Sequence, residues 1–472
     1  MLSINTKETH IVSVKHYSSM EYDNFEDLLF GHSKYPVKTG LDLEIGAGYT
    51  TAEINYAPRP GAAENKATLV NEYERITRDI MERMVQVGFP SVVLETEHVQ
   101  QMTHNPEWGA DIATAQKAIM EEYHDEYGIK CALRHTVGDI RGNRESIDLR
   151  GDAYSRILES FEQVASSGAD MLSIESLGGK EVFDHSILRN DMRGVIFSVG
   201  ILGAFDVEYI WKDICNIAKK NKVVPAGDTA CAQANTAMFV AGGLLDFKLS
   251  HSAASVVRAI SASRSLAAYE AGAVGPGKDC GYENNIIKAI TGYPISQEGK
   301  GSTCAHSDLM GNMAMQCCDL WSNESVEYRG DFGGTTVQCW GETLSYDCSM
   351  MNTALEAGVG KTLRDVLMVS DRYRDPQAFI LSYDNAYRIG EVITAHPDDL
   401  YLRAKEAGMK ACELIESGSE GFLELSKFEK ATIKKAQNDL KSLDENMESF
   451  ICNCLHTYSS EVDTFNPSNY GL

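Results

Sequence analysis

Three glycines 40 residues apart, at positions 88, 128 and 168, constrain the fold of this chain more than any other feature. Each closes a stretch of helical periodicity and is followed by a short apolar run. Before Gly88, the residues Leu69, Tyr73, Ile76, Ile80, Met84 and Val87 recur at steps of three and four, as one apolar helix face requires. Glycine takes the left-handed conformation that ends a helix, and Pro90 prevents the helix from resuming. The run SVVLETE (91–97) follows. The cycle repeats with KCALRHT (130–136) after Gly128 and with DMLSIES (170–176) after Gly168. A strand–helix unit of this length predicts right-handed crossovers and a parallel sheet.

Further strands are expected at GVIFSVG (194–200), KVVPAGD (222–228), SLAAYEA (265–271), YPISQEG (293–299) and SVEYRGD (325–331), which brings the number of units to eight. Eight units predict an α/β chain folded as a closed (β/α)8 TIM barrel over residues 65–342. Residues 1–64, with the Pro/Gly-rich INYAPRPGAAENK, read as an irregular N-terminal cap. Residues 343–472 are rich in helix formers and read as a helical C-terminal extension packed on the barrel.

Composition narrows the function classes. With 43 Lys and Arg against 68 Asp and Glu, the formal charge of −25 would repel phosphate backbones and anionic lipid, which argues against nucleic acid and membrane partners. The longest apolar stretch visible, AMFVAGGLL at 237–245, is too short to span a bilayer. The opening MLSINTKETHIVSVKH has no apolar core of a secretory leader, so a cytoplasmic location is expected. There the 12 cysteines stay reduced and become candidates for metal binding or catalysis.

A (β/α)8 barrel places its active site at the C-terminal ends of the strands. Glu175 ends the third expected strand, Cys231 follows the fifth, and Cys280 lies after the sixth. One carboxylate and two thiolates fill three positions of a tetrahedral zinc site and leave one open for substrate. Cys317 and Cys318, with Cys304 and His306 nearby, form a rival ligand cluster that spacing does not exclude. A buried structural thiol is the plain alternative for any of these cysteines.

The runs KYPVKTGLDLEIGAGYT, MERMVQVGFP, IMEEYHDEYGIKCALRHT, GDTACAQANTAMF, YEAGAVGPGKDCGYEN and CCDLWSNESVEY resemble the zinc-containing subunit of methanol:corrinoid methyltransferases. The resemblance extends from about residue 20 to the C-terminus; MLSINTKETHIVSVKH stands outside it as an extra leader. It implies a (β/α)8 barrel holding one Zn2+ through the Glu of SIES, the Cys of GDTAC and the Cys of GKDCGYEN, which are Glu175, Cys231 and Cys280 here. It also implies methyl transfer from methanol to the Co(I) corrinoid of a partner subunit, in a hetero-oligomer built on a homodimer, with zinc acting as Lewis acid on the methanol oxygen. A second methyltransferase would pass the methyl group on, to coenzyme M in methanogens. None of the 12 histidines has an Asp two positions earlier, so the Asp-x-His-x-x-Gly motif of corrinoid-binding domains is missing and the corrinoid is expected on the partner.

Breaking the methanol C–O bond expels hydroxide. Lowering the pKa of water from about 15.7 to about 7 on zinc is worth at most roughly 12 kcal/mol of leaving-group stabilisation. Two thiolates and a carboxylate make the site anionic and reduce that gain, so either a helper acid or a push from the Co(I) nucleophile is expected. The candidates at strand ends are Asp228 first, then Glu97 and His135, with Glu95 and His98 beside them. Gly275 and Gly277, around Pro276, are expected either to bind phosphate or to let the corrinoid approach closely. The alternative function is zinc-dependent methyl transfer from another small donor, a methoxy compound or methylamine. A third reading is a non-catalytic chaperone for a corrinoid protein.

Overall fold

Gly88 and Gly128 lie at φ 76° and 72° and end the helices Lys66–Val87 and Pro106–Tyr127, and Gly168 ends the helix Asp152–Ser167. The computed structural model describes residues 15–142, 147–244, 249–301, 309–327, 330–331 and 333–472. An antiparallel hairpin, β1 (His32–Thr39) and β2 (Leu43–Ala47), precedes the main sheet. The main sheet contains β3 (Thr51–Ala57), β4 (Ser91–Glu97), β5 (Lys130–Val137), β6 (Met171–Ile174), β7 (Val224–Asp228), β8 (Ser296–Glu298) and β9 (Leu320–Val326).

All neighbours in this sheet are parallel, in the order β7-β6-β5-β4-β3-β9-β8. The eighth place, between the edges β7 and β8, is taken by the short irregular segment 274–277. Val274 and Gly275 donate backbone hydrogen bonds to Pro225 and Ala226 on one side, and Gly277 bridges to Ile295 on the other. The sheet therefore curls into a TIM-like barrel. Its lower end is sealed where Leu43 and Ile45 of the hairpin pack on Val93, Ala132, Met171, Ala226 and Leu320.

Four strand expectations are corrected. The first barrel strand is Thr51–Ala57, within the stretch assigned to the cap. Residues 194–200 belong to a continuous helical stretch, Met192–Asn221, that includes a π-helical segment at Ile196–Gly203. This stretch is long and apolar enough by composition to cross a membrane, but most of it is buried inside the protein. It is apolar on every side because it is a core helix, and a short apolar run cannot distinguish strand from buried helix by periodicity. Residues 265–270 end the helix His251–Glu270, which is likewise buried all round. The last strand starts at Leu320 rather than at 325.

Beyond the barrel, the helices Thr336–Glu356, Gly360–Arg372, Tyr383–Thr394, Leu400–Glu420, Lys427–Lys441 and Met447–Glu461 form a C-terminal layer. Leu400–Glu420 packs so closely on the core helix that a Cβ at Gly200 would meet the Cβ of Ala404 at 2.3 Å.

Candidate active site

The inward faces of the strands carry charge where most barrels carry aliphatic side chains. Above the apolar floor lies a layer with Glu53, Glu95, Arg134 and Ser322, in which the Arg134 and Glu53 side chains, both fully buried, pair at 2.8 Å. Two residues further along β4 the side chain is Glu97, and β6 runs out into Glu175. After β7, the turn Thr229-Ala230 leads into a π-helical turn that begins at Cys231. Cys280 follows the closing segment, its N–H held by the Asp279 carboxylate at 2.8 Å.

The donor atoms of Glu175, Cys231 and Cys280 all lie within 4.8 Å of one another. The Cys280 thiol donates to Glu175 Oε1 at 2.8 Å, and Asn235 Nδ2 donates to Cys231 Sγ at 3.2 Å. A tetrahedral ion with bonds of roughly 2.0–2.3 Å separates its ligands by roughly 3.3–3.8 Å, so small side-chain movements would seat one here. The protonation chemistry of the donors also fits a cation. Burial, followed by the negative charge of Glu97, raises Glu175 above the usual carboxylate range. The hydrogen bond from Cys280 pulls Cys231 down, but burial and Glu175 outweigh it and leave Cys231 at about 11. Burial and Cys231 push Cys280 well above the usual thiol value. These groups hold protons that a divalent metal would displace.

Glu175 and Cys231 line a cavity of about 590 Å3 at the C-terminal ends of the strands, together with Glu97, Thr136, Asp139 and Leu177. Glu97 is the sequence-predicted helper that reaches this cavity. Burial alone would raise it, but Lys278 and hydrogen bonds from Glu324 and Asn55 hold it below the usual value. Its neighbour Glu324 is pushed well above the usual value, first by the charge of Glu97 and then by burial. The pair is therefore one carboxylate and one carboxylic acid at the barrel mouth.

The other expected helpers lie elsewhere. Asp228 Oδ1 accepts from the N–H groups of Ser176 and Thr229 and from Arg264, and Oδ2 accepts from Ser176 Oγ and Trp211 Nε1. It is fully buried. His135 faces the helix layer, with its Nδ1 3.0 Å from His98 Nε2. Burial lowers both histidines, His98 to about 3, so both are neutral. Glu95 is buried below Glu97, where it accepts from Thr136 at 2.6 Å. Gly275 and Gly277 are wall residues: a Cβ on Gly275 would meet the Pro294 carbonyl at 2.4 Å, and Gly277 Cα packs on Gly227. Cys317 and Cys318 are buried ahead of β9, and Cys318 donates to the Met315 carbonyl at 3.4 Å. Cys304 and His306 lie outside the described residues, as does most of the N-terminal leader.

Two residues of the site escaped the sequence reading. Glu324 sits in register beside Asn55 on β3; the strand had been placed one residue past it, which hid its position. Lys278 lies among the acids of the lumen, and its closeness to Cys280 in GKDCGYEN was the available signal.

Comparison with known proteins gives the family. A family model described as methanol-cobalamin methyltransferase B subunit matches residues 14–471. The chain belongs to that family. It is 65% identical over 461 residues to the methanol–corrinoid protein co-methyltransferase of Methanosarcina barkeri (strain Fusaro / DSM 804), covering 98% of this chain and all of the relative. Among solved structures it matches a chain of the methanol:cobalamin methyltransferase complex MtaBC from Methanosarcina barkeri, with a TM-score of 0.95 and 65% identity over 97% of this chain and all of that one. That chain was crystallised as part of a complex, and the two chains superimpose nearly end to end.

Proposed function

We propose that this protein transfers the methyl group of methanol to the Co(I) corrinoid of a partner protein, using one zinc ion held by Glu175, Cys231 and Cys280. The observation that carries the reading is the meeting of these three donors at a cavity on the catalytic end of the barrel, in a chain of this family. Soft thiolates favour zinc over magnesium or calcium. Bound there, zinc supplies Lewis acidity toward the methanol oxygen.

The chain's own groups do the rest. Glu324 and Glu97 place a carboxylic acid and a carboxylate, in that order, beside Glu175, all within 4.8 Å. From there a proton can be delivered to the oxygen that leaves as the C–O bond breaks. Asn235 donates to the Cys231 sulfur and fixes its direction. Asp228 gathers Ser176, the residue after Glu175, and Thr229, two residues before Cys231, onto one carboxylate, and so holds two ligand-bearing turns together. Asp228 is in this reading a buttress, and the helper role passes to Glu97 with Glu324.

A cavity of about 590 Å3 is far larger than methanol requires, and by size alone it would suit a methoxy compound. The family assignment favours methanol, and the width gives a corrinoid on another chain access to the donors. The decisive experiment measures methanol-dependent methylation of Co(I) cobalamin by metal-free and zinc-loaded protein. Zinc-dependent activity with methanol is expected. Equal activity without zinc, or activity with methylamines and none with methanol, would overturn the reading.

A further inference from the structure

Besides the three ligands, the described residues contain two other groups of acids whose oxygens lie within 4.8 Å of one another: Glu53 with Glu95 and Asp279, and Glu97 with Glu175 and Glu324. Lys278 stands between them. Its ammonium contacts Asp279, and lies 3.3 Å from Glu95, 3.5 Å from Glu175 Oε1, 3.6 Å from Glu97 and 3.9 Å from Glu324. The side chain is fully buried. Its main-chain carbonyl is fixed by Asn284 Nδ2 at 2.8 Å, and Asp279 is fixed in turn by Ser322 at 2.6 Å.

A buried ammonium is costly unless several acceptors compensate it. Lys278 is nonetheless held on the rigid closing segment two residues before a thiol donor, with an acid ligand on its other side. Lys278 is thus shared among five acid side chains, while Arg134 serves Glu53 below them.

We propose that Lys278 is a positioning residue for the metal centre: its ammonium takes the place of a cation among the lumen acids and holds Glu175 facing Cys231 and Cys280. The proposal rests on the reading that these three residues bind a metal. It assigns Lys278 no contact with methanol. Without the ammonium, Glu175 is free to turn toward Glu97 and Glu324, and the all-oxygen clusters become competing cation sites that prefer hard ions.

The test uses the full chain stripped of metal, with Co2+ as a spectroscopic substitute for zinc, in wild type, K278R and K278M. Affinity is read by competition with a chelator, and geometry by the visible cobalt bands and the thiolate charge-transfer band. K278M is expected to bind Co2+ about 10- to 100-fold more weakly with shifted cobalt bands, and K278R to recover most of the loss. A K278M protein that folds, binds within threefold of wild type and shows unchanged bands would overturn the proposal. If K278M does not fold, E95Q/K278M removes one charge of each sign from the same contact and is judged by the same criteria. Failure of wild type to bind Co2+ would instead refute the metal reading itself, which keeps the two failures distinct.

Discussion

Asp228 ends β7 and Glu97 ends β4, both inside the barrel's catalytic half, yet their surroundings make them different chemical objects. Asp228 is fully buried and its two oxygens accept five hydrogen bonds. Glu97 has about a third of its side chain exposed and lines the cavity beside Glu175 and Cys231. An acid whose lone pairs are all engaged can organise a site but has nothing left to offer a substrate. A strand-end position therefore nominates a residue, and its free hydrogen-bonding capacity decides whether it can act.

The proposed ligand residues set the reference for both acids. Cys231→Ser and Cys280→Ser are each expected to lose bound zinc and at least about 10³-fold in methyl transfer, since a weak hydroxyl replaces a thiolate. Metal analysis of the purified variants checks this directly. Zinc that survives in both variants would detach the site from Glu175 and turn attention to Cys317 and Cys318.

Glu97→Gln should give the next largest effect. If Glu324 protonates the leaving oxygen and the charge of Glu97 is what keeps it protonated, turnover should fall by about 10²–10⁴-fold while zinc stays bound and the methanol KM changes little. Turnover within a few-fold of wild type would remove the functional half of the comparison. Asp228→Asn should do the reverse. Leaving Arg264 without its buried counter-charge should cost about 3–5 kcal/mol of stability, read as a lower Tm. Methyl transfer per folded, zinc-loaded molecule should stay within a few-fold. A large loss of turnover with zinc and fold intact would restore Asp228 as the acid.

The contrast between the two acids also explains what could be read in advance. The first half of the barrel was legible because Gly88, Gly128 and Gly168 stop amphipathic helices ahead of apolar strands. Glu175, Cys231 and Cys280 could be nominated as strand-end donors and through family resemblance, and the fold brings their donor atoms within 4.8 Å of one another. The strand Thr51–Ala57 was missed because its Glu53 and Asn55 belong to a charged lumen, so the usual sign of an apolar inward face is reversed. The segments at 194–200 and 265–271 were misread because helices buried on all sides carry no amphipathic period. Asp228 was ranked first from its nearness to Cys231 in sequence, which says nothing about the partners Trp211 and Arg264 brought by distant helices.

The smallest effect on catalysis is expected from His98 and His135, which extend the comparison to the outer side of the barrel wall. Burial holds His98 at about 3 against an ordinary 6.5, and His135 is also well depressed. Both are neutral when folded but take up protons in the unfolded chain as pH falls below about 6.5. Folded-state stability from this pair is therefore complete above pH 6.5 and declines as pH falls toward about 3, by up to roughly 1.4 kcal/mol per pH unit for each histidine. Denaturant unfolding between pH 7 and pH 4 should show this slope, and H98Q/H135Q should flatten it despite lower stability at neutral pH. Methyl transfer by the folded double variant at pH 7 should stay within a few-fold of wild type, because the His98–His135 contact lies between strand and helix rather than beside Glu175. An unchanged acid slope would show that the pair does not control acid stability. A collapse of turnover with zinc retained would show that His135 communicates with the site through the wall, and would weaken the claim that free hydrogen-bonding capacity at the cavity decides which residues act.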